Sequence, residues 1–102
     1  MLTLAILAAC SIPCESAPAG STRDTCLHRR VADDPERWSA DEVLRFSGDI
    51  EDPIVREATV MTWVRAHRGS VNEADRQRIC GIFTGVERNT CDRRLAAAHL
   101  SR

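Results

Sequence analysis

Apolar residues are spread unevenly along this chain. Leu2 to Ala9 form a hydrophobic run, and Ser11 to Ser21 then bring two prolines, a glycine and small polar residues. From Thr22 onward the apolar positions recur every three or four residues, the spacing of helices with one buried face. Polar and small residues at the ends of each stretch set the boundaries. The first helix is expected from Thr22, with Thr22 as cap and Asp24 favouring the positive end of the dipole. Cys26, Leu27 and Val31 are its apolar residues, and Asp33-Asp34-Pro35 stops it, since the residue before proline avoids helical angles. Ser39 and Glu42 stand at capping-box spacing, with Trp38 and Val43 placed as a hydrophobic staple. They predict a short helix from Ala40 to Ser47, ended by Gly48.

Asp52-Pro53 opens a longer helix, because aspartate caps and proline is preorganised for the first helical position. It is expected to reach Arg68, with Gly69 as the left-handed exit. Its apolar residues Ile54, Val55, Ala58, Val60, Met61, Trp63 and Val64 cover more than one stripe, which predicts a central helix. Ser70 and Glu73 read as a second capping box for a helix to Thr84, with Ile79, Cys80, Ile82 and Phe83 inward and Gly85 as terminator. Thr90 is expected to cap a last helix, with Asp92 in its first turn and Cys91, Leu95 and Ala98 inward. No stretch alternates apolar and polar residues as a half-buried strand does. The expected fold is therefore all-α, a small bundle of about five short helices.

The hydrophobic run acquires meaning from the cysteine at its end. Leu7-Ala8-Ala9-Cys10 resembles the lipobox at which bacterial lipoprotein signals are cut. A run this short falls below the roughly 20 residues that span a bilayer and suits the core of an export signal. Met1-Leu2-Thr3 carries neither Lys nor Arg, where such signals usually open basic; a start further upstream would supply one. The resemblance implies removal of residues 1–9, acylation of Cys10, and a lipidated tether over residues 10–21 ahead of a helical domain at 22–102. Ser11, which is not acidic, implies sorting to the outer membrane, facing the periplasm. Two other readings compete. Ala17-Pro18-Ala19 fits an ordinary cleavage site and would yield a soluble secreted protein. Alternatively, residues 2–9 are a buried helix of a cytosolic protein.

Cysteine parity bears on the choice. The five cysteines are Cys10, Cys14, Cys26, Cys80 and Cys91. With lipid on Cys10, four remain and can form two disulfides, as suits a small exported domain. A cut after Ala19 would leave three. Four cysteines allow three connectivities. Cys80 with Cys91 would staple a helical hairpin, contributing about 3 kcal/mol in the chain-entropy model. Cys14 with Cys26 is the default remainder.

Composition narrows the function classes. All fourteen basic residues are Arg, yet fifteen acidic residues leave a net charge of −1. A nucleic-acid binder would usually show net positive charge and a basic stripe. Abundant Ala and Arg without Lys or Tyr is what a GC-rich genome writes. No Cys-x-x-Cys, no His-x-x-x-His and no glycine-rich phosphate loop is present. Cys26-Leu27-His28 and Cys91 with His99 could be imagined as a zinc site, but in an oxidising compartment the cysteines are better read as disulfides. Asp49, Glu51 and Asp52 lack calcium-ligand spacing. His67 reads as favouring a helix dipole, and His28 and His99 as solvated. Neither cofactor, metal nor small-molecule substrate is expected, and an enzyme is the least favoured class.

Asp52-Pro53-Ile54-Val55-Arg56-Glu57-Ala58 resembles the start of the second helix in HEAT-type repeats. The resemblance implies that the helix from Ala40 packs before it as the first of a pair. It occurs once, whereas solenoids stack several repeats. The expected role is that of a protein-binding or structural envelope module, bound to the bilayer through Cys10 and contacting another envelope protein. Arg93, Arg94 and whichever of Trp38 and Trp63 is exposed are the candidate contact residues. A soluble, inhibitor-like secreted protein is the alternative.

Overall fold

Five helices succeed one another through short turns; one disulfide joins the last two, and another ties the segment before the first helix to it. The computed structural model describes residues 13–100, with side chains through Ala96. The expected signal at 1–9 and Cys10 lie outside the described residues, as do the side chains of Ala98 and His99. A single 3₁₀ turn, Cys14–Ser16, precedes α1 (Ser21–Asp33). A second turn, Pro35–Arg37, leads to α2 (Ala40–Gly48), then α3 (Pro53–Ala66), α4 (Glu73–Cys80) and α5 (Gly85–Leu100). The fold is all-α, and the described residues contain no strand.

α3 is the central element. It packs against α1, α2 and α5. Val60, Trp63 and Val64 on it are buried, facing Leu27 and Val31 of α1, Val43 and Phe46 of α2, and Cys91 and Leu95 of α5 in one core cluster. Its apolar wrap is nevertheless incomplete: Ile54 is 79% exposed and Ala58 is also open to solvent. Burial runs along one stripe, because helices cover α3 on some sides only.

The caps explain where most elements begin. Ser39 accepts from the Glu42 N–H at 3.1 Å and Glu42 accepts from the Ser39 N–H at 3.0 Å, completing the capping box. Asp52 accepts from the Ile54 N–H at 2.9 Å with Pro53 behind it. Gly69 takes φ 71°, the left-handed exit after α3.

Other boundaries differ from expectation. α1 starts at Ser21 behind Gly20 (φ 99°), without a side-chain cap from Thr22. The N–H groups of Arg23 and Asp24, third and fourth in the helix, donate to the Pro18 and Gly20 carbonyls. Asn72, not Ser70, caps α4, accepting from the Asp75 N–H at 2.8 Å. Ser70 closes the preceding turn by donating to the His67 carbonyl at 2.9 Å. α4 ends at Cys80 rather than Thr84, because tight turns from Ile82 to Ile79 and from Phe83 to Cys80 swing Phe83 into the core. Gly85 (φ 59°) opens α5 instead of ending α4, so Thr90 lies inside that helix and caps nothing. The extra turns, Val86 to Asn89, are exposed. They carry no buried face, which is why periodicity does not reveal them.

Candidate functional site

The disulfides set the frame for any functional surface. Cys14 pairs with Cys26 and Cys80 with Cys91, with Cα–Cα distances of 5.5 and 5.6 Å. Cys14 is only 4% exposed and belongs to the core. The part of the expected tether from Pro13 onward is therefore held against the domain. Arg23 of α1 grips it by donating to the carbonyls of Glu15 and Ala17 at 3.0–3.3 Å. Arg30 grips it with a two-pronged pair to the Glu15 carboxylate at 3.0 and 3.2 Å. That guanidinium holds the Glu15 carboxyl below the usual range. The Cys14–Cys26 pair is the default one expected from the sequence; the two arginines on α1 that add to it are not announced by the prolines and glycine of the segment.

Beside this junction runs a groove of about 970 Å³, lined by Pro13, Cys14, Thr25, Arg29, Arg37 and Trp38 among others. Trp38 is half-buried, its indole N–H donating to the Arg30 carbonyl at 3.0 Å and its ring meeting Phe46 edge-on at 5.0 Å. Arg37 lies over the Trp38 face at 4.7 Å. Trp63 is 1% exposed and donates to the Trp38 carbonyl at 2.7 Å. Neither tryptophan is a freely exposed contact residue; both are fixed by indole hydrogen bonds, as buried Trp usually is.

A second candidate surface lies where α3 ends against α5. Arg68, Thr90, Arg93 and Arg94 line a notch of about 270 Å³. Arg93 reaches the Thr90 hydroxyl at 3.4 Å. Arg94 is half-buried, and its Nη1 is enclosed without a hydrogen-bond partner. Among the described residues none of these three arginines forms an ion pair, whereas Arg30, Arg76 and Arg78 all do. The Arg93-Arg94 pair is visible in the sequence. Arg68 joins it only because α3 and α5 pack side by side.

The remaining chemistry-bearing groups serve the scaffold. Asp24 does not sit at a solvated helix start. It is 3% exposed and accepts from the N–H groups of Glu51 and Asp52 at 2.9 and 3.0 Å, fastening α1 to the turn before α3. His28 is half-buried rather than solvated, with Nδ1 2.8 Å from the Thr59 hydroxyl. That hydroxyl donates its one proton to the Val55 carbonyl at 2.7 Å, so His28 Nδ1 carries the hydrogen of the pair. His67 stacks on Trp63 at 4.0 Å and donates from Nε2 to the Pro35 carbonyl at 3.0 Å, more than the dipole role expected of it. Cys26 and Cys91, imagined as zinc ligands, are both in disulfides. Among the described residues no cluster of three or more His, Cys, Asp or Glu side chains could hold a metal ion. No described helix is long and apolar enough to cross a membrane.

No protein-family model, curated protein or solved structure matches the chain.

Proposed function

We propose that this chain is a small bacterial envelope lipoprotein, anchored through acylated Cys10, whose helical domain is a protein-binding or structural module. One observation carries the anchoring: every cysteine after Cys10 is consumed in an intramolecular disulfide, so Cys10 is the one left over. The soluble alternative, cleavage after Ala19, would discard Cys14 and strand Cys26, with the loss of a core residue. Two or more acyl chains on Cys10 would hold the protein essentially permanently, at about 0.8 kcal/mol per buried methylene. Ser11 favours the periplasmic face of the outer membrane.

The binding face is the notch of Arg68, Arg93 and Arg94. Arg68 and Arg93 are exposed there without an ion pair among the described residues, and a carboxylate from another envelope protein would form charge-assisted hydrogen bonds with them. The test is palmitate labelling and fractionation of wild type and Cys10→Ala, with nonreducing mass spectrometry of the mature chain. Wild type should begin at an acylated Cys10, carry two disulfides and stay with membranes; the variant should be unlabelled and released. A mature chain starting at another residue, or four alkylatable thiols, would refute the reading.

A further inference from the structure

We propose that the groove beside Cys14 is the face on which the domain rests against anionic phospholipid headgroups of the membrane that holds Cys10. The inference rests on acylation of Cys10 and adds a fixed orientation to it. Only Ser11, Ile12 and Pro13 separate the acylated residue from Cys14, and Cys14 is locked to α1 by its disulfide. Four residue steps reach no more than about 14 Å even when fully extended. The domain therefore cannot swing on a long leash. Whatever surrounds Cys14 stays within a short distance of the headgroup layer.

What surrounds it has the matching charge. The groove is lined by Arg29, Arg30 and Arg37 against one carboxylate, Asp33. Arg30 is paired with Glu15 just outside the groove, which leaves Arg29 and Arg37 exposed and, among the described residues, without an ion pair. Trp38, half-buried in the same groove with Arg37 over its face, has the amphipathic character suited to a water–lipid boundary. Two arginines are too few to bind a free domain to a membrane. On a short tether the second contact is intramolecular, and a weak attraction is enough to fix orientation.

The test uses the lipidated full-length protein in vesicles of zwitterionic lipid, with or without added anionic phospholipid. Both carry a trace of lipid with a nitroxide on its headgroup. Trp63 is 1% exposed, so headgroup quenching reports on Trp38, and Trp38→Phe should abolish most of it. Quenching should be severalfold stronger in anionic vesicles than in zwitterionic ones. Raised salt, or the double change Arg29→Gln with Arg37→Gln, should remove the difference; both arginines are exposed, so the variant should still fold, its melting temperature lowered only by loss of the Arg37–Trp38 contact. Quenching that is equal in all vesicles and unchanged in the variant would overturn the proposal. So would a groove fully open to an aqueous quencher in anionic vesicles, which would leave that face to a protein. Acyl mass and vesicle flotation, measured on the same samples, separate the two failures. An unacylated protein removes anchor and docking face together, whereas an acylated one with charge-insensitive quenching removes the docking face alone.

Discussion

Replacing Asp24 by alanine should be among the most damaging changes to this domain outside the hydrophobic core. The side chain is 3% exposed and holds two backbone N–H groups, Glu51 at 2.9 Å and Asp52 at 3.0 Å. Hydrogen bonds to a charged group contribute about 1.5–3 kcal/mol each, and a buried donor left unpaired costs about 1–3 kcal/mol. Glu51 and Asp52 are themselves exposed, so water can partly replace the lost acceptor. The loss should then be about 2–4 kcal/mol for the pair. Asp24→Asn keeps one acceptor oxygen but turns an NH₂ toward the second N–H, and should cost less than alanine. Thr25→Ala, one residue on and exposed, should change stability by under about 0.5 kcal/mol. Guanidinium unfolding of the disulfide-intact chain carrying Cys10→Ser is the assay. With a slope of about 2 kcal/mol/M, Asp24→Ala should move the midpoint down by about 1–2 M. A shift below about 0.5 M, or Asn costing as much as Ala, would show that the carboxylate is not what fastens α1 to the turn before α3. The stakes reach the proposed function, because α1 carries Cys26 and hence the junction with the proposed membrane tether.

Three further outcomes are expected from the same geometry. Changing Cys80 and Cys91 together to serine opens a loop of 11 residues' separation and should cost about 3 kcal/mol, read as a drop in melting temperature. Arg56→Met should cost about 1–2 kcal/mol, because Arg56 of α3 donates to the Ser47 and Ile50 carbonyls at 2.6–3.2 Å and so caps the end of α2; chemical denaturation measures it, and loss of under about 0.5 kcal/mol would refute the capping role. Acid should weaken the fold: the Arg30 hydrogen bond lowers Glu15 and the Ser39 N–H lowers Glu42. For a depressed carboxyl, the stabilisation is complete above its unfolded value near about 4.3 and is lost as pH falls through the folded value, so melting temperature should decline below about pH 4.5 and Glu42→Gln should flatten part of that decline.

Local rules carry much of this structure. The stop before Pro35, the Ser39–Glu42 box, the Asp52-Pro53 start and the Gly69 exit all depend on residues within four positions of one another, and all are present in the fold. α4 and α5 depart from expectation for a local reason too. Ser70 and Asn72 both offer capping oxygens two residues apart, and which of them caps depends on how the chain leaves α3. Gly85 can end one helix or begin the next, and its positive φ alone does not say which.

Function-bearing surfaces are less legible. Cys10 and the Arg93-Arg94 pair stand out as sequence, but Arg68 lies 25 positions from Arg93, and only the packing of α3 on α5 puts them around one notch. Asp24 reads as an ordinary helix-start acid, because nothing near it announces the two N–H groups that it meets 27 and 28 residues later.

By itself the amino-acid order determined the helical class, the starts of α2 and α3 and the odd cysteine, since these arise from contacts within a turn or from counting. Tertiary structure alone decided that Arg23 and Arg30 grip the segment after Cys14, that Asp24 and His28 are ties between elements, and that the groove and notch exist. Those features join residues distant in sequence, and their pairing is set by which helix faces become dry together, something no short window of the chain contains.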